Sequence, residues 1–206
     1  MMDWDRVYSN PQQYANMAWF SNEPCRILMQ AIKSIEANSH VLEIGCGFGT
    51  NAIAMAQQNL TVTATDASRT VIDYCKQSAL ELNTHVNFLT TQDQLEDHAY
   101  DVVVDRFVFH MDIPGFAEHV SRVIKPTGRW ISIINNSHAR TNWGTIPSMS
   151  RDYVAERMKP YFNILSIDQA HVQINNEKIS AWVVTSEPVK QPHRYITEAN
   201  NNYSHY

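Results

Sequence analysis

Short apolar runs and longer stretches of helical periodicity take turns along this chain. Val41, Leu42 and Ile44 form a compact β-prone run that ends in a glycine-rich turn at Gly45, and 51–58 reads as the helix that follows. The β-rich stretch 60–65 stops at Asp66, and 68–82 has helical spacing with Ser68 as its N-cap. Residues 85–90 suit a strand. The nearly continuous apolar run 100–104 is the kind that a sheet buries on both faces. A helix is predicted over 114–123, with Pro114 near its start. Then come turn chemistry at 125–128, a strand over 129–134 and a helix over 150–159. Two last strands, 161–168 and 179–185, flank polar Asn175, Asn176, Glu177 and Lys178, which predicts an antiparallel pair. Upstream, Ile27, Leu28, Ala31, Ile32 and Ile35 fall at helical spacing.

Strands that alternate with helices build a parallel sheet covered on both faces, and the terminal hairpin adds an antiparallel edge. The expected class is therefore α/β: a Rossmann-like, doubly wound sheet. Its expected divisions are an aromatic-rich N-terminal segment (1–22), one domain (23–187) and a polar tail (188–206) with little fixed structure.

Composition narrows the function classes. The 206 residues carry a net charge of −5, so nothing in the bulk favours phosphate backbones or anionic lipid, and no basic, aromatic-interleaved patch points to nucleic acid. No apolar run reaches the ~18–20 residues of a membrane helix. The first residues contain acids and no apolar core of a signal peptide. Cys25, Cys46 and Cys75 make an odd, sparse set without a CxxC pair, which suits a reducing compartment and gives no metal site. The expectation is a cytoplasmic protein, monomer or homodimer, that acts without nucleic acid or membrane.

The chemistry concentrates in Val41-Leu42-Glu43-Ile44-Gly45-Cys46-Gly47-Phe48-Gly49-Thr50. A strand runs into three alternating glycines, which allow a tight turn and close approach of a ligand to the backbone. Asp66, twenty-one positions after Gly45, ends the next strand, where a carboxylate can accept from both hydroxyls of a ribose. The dinucleotide fingerprint G-x-G-x-x-G needs its last glycine where Thr50 stands, and the loop has no P-loop lysine.

These residues resemble the class I S-adenosylmethionine-dependent methyltransferases. The run 43–49 looks like that family's first motif, Asp66 like its acid after the second strand, 99–105 like its fourth strand and 125–130 like the turn into its fifth. The resemblance implies a seven-stranded sheet, mostly parallel with an antiparallel C-terminal strand, and S-adenosylmethionine as cofactor with S-adenosylhomocysteine as product. By position, Gly45, Cys46, Gly47 and Gly49 line the methionine and ribose, with Cys46 a small filler and not a nucleophile. Glu43 helps hold the methionine amino group, Asp66 binds the ribose, Ala67 borders the adenine, and Gln92 and Asp93 lie at the adenine amine. Asp105 is implied beside the methionine moiety and the transferable methyl.

Asp105-Arg106 also resembles the thiopurine and related small-molecule branch. The candidate catalytic residues are Asp105 and His110, since an acceptor hydroxyl needs a base and histidine titrates in the useful range. Tyr14, Trp19, Arg106, His110 and His138 are the candidate acceptor contacts, with Tyr14 and Trp19 on a lid formed by 1–22. The expected activity is methyl transfer to a small-molecule acceptor. A protein or carboxyl methyltransferase, or a binding module without turnover, are the alternatives. The chain contains no Asn-Pro-Pro-Tyr or Asp-Pro-Pro-Tyr of the base N-methylating type.

Overall fold

Strand β1 (His40–Ile44) is the centre from which the sheet grows. It pairs in parallel with β2 (Thr61–Thr65) on one side and β4 (Tyr100–Arg106) on the other. The computed structural model describes residues 3–10, 20–90, 95–136, 140–141, 144–145, 147–174 and 177–189. Outside β2 lies β3 (Asn87–Leu89), and outside β4 lies β5 (Ile124–Asn135), both parallel to their neighbours. The C-terminal hairpin closes the other edge, β7 (Glu177–Pro188) antiparallel to β5 and to β6 (Phe162–Ile174). The strand order is β3-β2-β1-β4-β5-β7-β6. This is the seven-stranded, mostly parallel sheet that the alternation of elements implies.

Because the sheet is covered on both sides, alternate residues of its strands feed two separate cores. Val41, Val104 and Ile131 face helices α2 (Arg26–Ala31), α3 (Thr50–Ala56) and α4 (Arg69–Glu81), where Leu28, Ile53, Met55, Ile72 and Cys75 pack. Leu42, Ile44, Val103 and Trp130 face α5 (Phe116–Val123) and α6 (Arg151–Met158), where Phe116, Val120, Val154 and Met158 pack. A five-residue helix, α1 (Trp4–Tyr8), precedes them all.

Helix starts follow local chemistry. Ser68 accepts a hydrogen bond from the Val71 amide and Ser150 one from the Tyr153 amide, so both hydroxyls satisfy amides that a first turn leaves unpaired. Helix α5 starts two residues later than the proline suggests, after Gly115 in the left-handed region. The hairpin strands, 13 and 12 residues long, exceed the expectation because their polar distal halves still pair with one another. Val172, Ile179 and Ala181 carry the arm back onto the core that holds Cys25 and Leu28. Strand β7 runs through Pro188, and the Val189 amide donates to the Tyr161 carbonyl, so the hairpin takes in the first residues of the expected tail.

The turn chemistry at 125–128 is not a gap between elements but an excursion within β5. Ile124 stands opposite Tyr100 and Arg129 opposite Val102, so four residues bulge against Asp101 alone. Asp101 accepts from Lys125 Nζ at 2.7 Å and from the His40 amide at 2.9 Å, which ties the excursion to the start of β1. A Cβ at Gly128 would stand 2.9 Å from the Asp101 carbonyl oxygen and 3.0 Å from that of Lys125. Backbone cannot step aside as a side chain can. Gly128→Ala is expected to destabilise the protein by about 1–3 kcal/mol, read as a lower urea midpoint at unchanged m-value. An unchanged midpoint would show that the excursion is slack.

Candidate active site

The carboxyl ends of β1, β2 and β4 converge on the glycine-rich turn. The amides of Gly45 and Cys46 both donate to the Thr65 carbonyl, at 2.8 and 2.9 Å, which pins the turn to the end of β2. Gly45 has φ +70°, and a Cβ there would come within 2.3 Å of Val108 Cγ2. Glycine therefore lets the segment after β4 close down on the turn. Gly47 lies at φ +51° and its amide donates to Asp66 Oδ2 at 3.0 Å. Gly49, at φ +73°, precedes the first residue of α3. Cys46 is buried, and a hydrogen bond with the Cys75 thiol together with burial pushes its own thiol up. A thiol so placed fills space and does not attack.

Asp66 bridges two elements. Its Oδ1 accepts from the Ser68 amide at 3.0 Å, so the carboxylate holds the turn on one side and the approach to α4 on the other. Burial pushes its pKa up, against the lowering effect of these amides. Ala67, next to it, is exposed.

Glu43 is the most constrained acid of the group. It is 1% exposed; Oε1 accepts from Asn51 Nδ2 at 2.9 Å, and Oε2 is buried with no partner. Asn51, on the first turn of α3, also accepts from the Cys25 amide at 2.8 Å, and so ties Glu43 to the start of α2. Burial raises the Glu43 carboxyl to about 7, against the lowering effects of the Asn51 hydrogen bond and the Arg106 charge. Oε2 is thus left able to accept a further hydrogen bond at this end of the sheet.

Strand alternation separates Arg106 from Asp105. Asp105 projects into the opposite core, fully buried, where Oδ1 accepts from Trp130 Nε1 at 2.9 Å and Oδ2 from the Phe109 amide at 3.1 Å. Trp130 is itself wedged among Phe109, Phe116 and Phe162. Each Asp105 oxygen thus accepts one hydrogen bond, and together they tie Trp130 to the segment after β4. Burial raises the Asp105 pKa to about 6.

That segment carries His110. It begins with Phe107, a non-glycine residue at φ +62°, whose amide donates to the Ile133 carbonyl. A left-handed Phe costs on the order of 1–2 kcal/mol, and such strain gathers at functional turns. His110 sits in the 3₁₀ turn Phe109–Met111, 5% exposed, its ring edge-on to Phe107 and its Nδ1 buried without a partner. Burial lowers its pKa to about 4, so the imidazole is neutral at pH 7.

Helix α1 lies across the same end of the sheet. Tyr8 is buried; a Cβ at Gly47 would meet its hydroxyl at 3.3 Å, and its ring meets Phe48 edge-on. Phe20 and Tyr74 pack edge-on against Phe48 as well. Among the aromatics of 1–22 the sequence reading favoured Tyr14 and Trp19 and gave Tyr8 no role. Asn51 and Asp5 gave no sequence signal, because their contacts are long-range. Of the expected site residues, Tyr14, Trp19, Gln92, Asp93 and His138 lie outside the described residues.

Fold and site together define a methyltransferase of the nucleoside-binding, doubly wound type, and the comparisons agree. A family model described as a methyltransferase domain matches residues 42–130. A ubiquinone biosynthesis O-methyltransferase from Rickettsia bellii is 32% identical over 170 residues, 72% of this chain and 70% of that protein. A structure solved for the conversion of a disulfide bond into a thioacetal group during echinomycin biosynthesis superposes with a TM-score of 0.78 at 18% identity, covering 90% of both chains. Magnesium protoporphyrin IX methyltransferase from Synechocystis, with bound S-adenosylhomocysteine, gives 0.61 at 16% identity over 78% of each chain. The chain belongs to the class I S-adenosylmethionine-dependent methyltransferases. It is an enzyme, and its cofactor is S-adenosylmethionine. Among the described residues, no helix is long and apolar enough to cross a membrane.

The Glu43 carboxyl has a direct consequence for stability. Its folded pKa, about 7, lies above the 4.5 of the free side chain, so between those values the folded state binds the extra proton. Stability from this source is full below pH 4.5 and is lost as pH rises through 7. Glu43→Gln, which stays neutral, removes the dependence. Relative to the variant, the wild type without ligand is expected to lose on the order of 3 kcal/mol between pH 4.5 and 8, measured by urea unfolding. Parallel curves for the two proteins would place the Glu43 carboxyl in water.

Proposed function

We propose that this enzyme transfers the methyl group of S-adenosylmethionine to a hydroxyl of a small-molecule acceptor, with His110 as the proton acceptor. The observation that carries the reading is a neutral, buried imidazole on the turn that touches Gly45 through Val108, while Asp105 has both oxygens occupied. The O-methyltransferase name of the Rickettsia relatives supports the same chemistry. In this reading residues 23–187 are the catalytic domain and 1–22 a cover over its site. The three cysteines are free thiols, which suits the cytoplasm, where we place the enzyme as a monomer or homodimer acting without nucleic acid.

Glu43 Oε2 takes the cofactor ammonium, Asp66 the ribose hydroxyls, and the backbone of Gly45, Cys46, Gly47 and Gly49 lies against the methionine and ribose. Ala67, Gln92 and Asp93 border the adenine. Arg106, on the Glu43 face of β4, lies on the acceptor side with Tyr14, Trp19 and His138. The cofactor supplies an electrophilic methyl on a positively charged sulfur, so the leaving group needs no acid. The chain must align the acceptor oxygen, exclude water and take one proton. His110 takes that proton in its neutral form. The burial that keeps it neutral also makes it a weak base, so alignment carries more of the rate than proton transfer does. Asp105 acts indirectly, by bonding the Phe109 amide beside His110.

Four measurements test the assignment. S-adenosylhomocysteine should raise the melting temperature and NAD should not, because only a ligand of the native state stabilises it. Asp66→Ala should weaken S-adenosylhomocysteine binding by about 2–3 kcal/mol in calorimetry, with the fold intact. With a hydroxyl acceptor, His110→Ala should lower kcat by roughly 10²-fold, the low end for general base catalysis, and leave the cofactor dissociation constant unchanged. The wild-type kcat should be flat from pH 6 to 8, because the imidazole protonates, and stops accepting, only as pH falls toward about 4. A variant that retains full kcat would remove His110 from the chemistry.

A further inference from the structure

The contact between α1 and α4 has no role in the scheme above, although its residues are built for one. Asp5 Oδ1 accepts two hydrogen bonds, from Ser68 Oγ at 2.6 Å and from the Thr70 amide at 3.0 Å. Ser68 is the N-cap of α4, and its hydroxyl accepts from the Val71 amide while it donates to Asp5. Its own amide donates to Asp66. These bonds hold the Asp5 carboxyl below its ordinary pKa, so it is ionised throughout the neutral range. A charged acceptor over the first turn of a 13-residue helix also meets the positive end of its dipole. Asp5 is thus joined through a single residue, Ser68, to the carboxylate assigned to the ribose.

One turn further along α1, Tyr8 delivers its hydroxyl against Gly47, the residue whose amide bonds that same Asp66. Phe48, next in the turn, receives the edges of Tyr8, Phe20 and Tyr74. Helix α1 therefore has two attachments, an aromatic one on the cofactor turn and a polar one on the first turn of α4, and Asp66 touches the backbone of both. A five-residue helix has little stability of its own, so its position is set by these attachments.

We propose that Asp5 is a positioning residue: through Ser68 and the Thr70 amide it latches α1 so that Tyr8 covers the glycine turn and retains the bound cofactor. The latch rests on the assignment of the turn and Asp66 to S-adenosylmethionine. It places Asp5 outside contact with the cofactor and makes its effect one on release. Loss of the latch frees the cover and speeds departure of the nucleoside, while the cradle that receives it stays intact.

The test follows S-adenosylhomocysteine release from the full chain by stopped-flow tryptophan fluorescence, together with hydrogen exchange of residues 3–10 with and without ligand. Asp5→Ala is expected to raise the dissociation rate about tenfold, the scale of a lost charged hydrogen bond, and to leave the association rate within about twofold. In the wild type the ligand should slow exchange of the α1 amides, and in Asp5→Ala it should not. Asp5→Asn, which keeps an acceptor oxygen without the charge, should fall between the two. A merely structural contact would lower the melting temperature without changing the release rate. Equal release rates in wild type and Asp5→Ala, or α1 exchange indifferent to ligand in the wild type, would overturn the latch. Failure of the wild type to bind S-adenosylhomocysteine at all would overturn the assignment of the cradle, and the latch with it.

Discussion

The structure turns on the amides of Gly45 and Cys46 both donating to the Thr65 carbonyl. That shared acceptor fixes where β1 stops relative to β2, and every functional group at this end is measured from it. The left-handed glycines let the chain reverse within a few residues and enter α3 without a side chain filling the concave side. Asp66 follows immediately on β2, so the pinning of Thr65 also aims its carboxylate at the Gly47 amide. Val108 can settle onto Gly45 only because no Cβ is there, which brings the His110 segment to the same place.

Around that turn the protein keeps its buried ionisable groups close to neutral. Burial lifts Glu43 to about 7 and drops His110 to about 4, and both retain a buried atom without a partner. An isolated charge in such surroundings is costly, so burial disfavours the charged form of each. Asp105 shows the contrast. It is equally buried, but each of its oxygens accepts a hydrogen bond, from Trp130 and from the Phe109 amide, which ties the end of β4 to the strained segment that starts at Phe107. Two carboxylates one strand apart thus differ in their surroundings because the pleat sends them to opposite cores.

The glycine-rich turn was legible in the sequence because its determinants are local. Glu43, the alternating glycines and Asp66 lie within two strand-turn units, and Ser68 reads directly as a cap. Asp105 was harder. In a strand buried on both faces, the run Val102-Val103-Val104 does not say into which core Asp105 projects. The span of β5 was hidden for a related reason: the bulge opposite Asp101 contains proline and glycine, which read as an end of structure. Asp5 and Asn51 were invisible because their partners stand 63 and 65 residues away for Asp5, and at Glu43 and the Cys25 amide for Asn51.

This difference in legibility follows from the chemistry. A nucleoside with a charged sulfur asks for a fixed set of partners at fixed spacing, and a strand-turn-helix unit supplies them with few residues. The acceptor asks mainly for alignment and dryness, which many side chains can provide from many directions. Two segments are laid over the sheet end, α1 from one side and the turn after β4 from the other. Each is held by contacts that cross the chain: Asp5 on Ser68 and Thr70, and Asp112 on Tyr153 and Arg157 of α6. The cradle is therefore encoded once, near Gly45. The segments laid over it are encoded pairwise, by residues far apart in the chain.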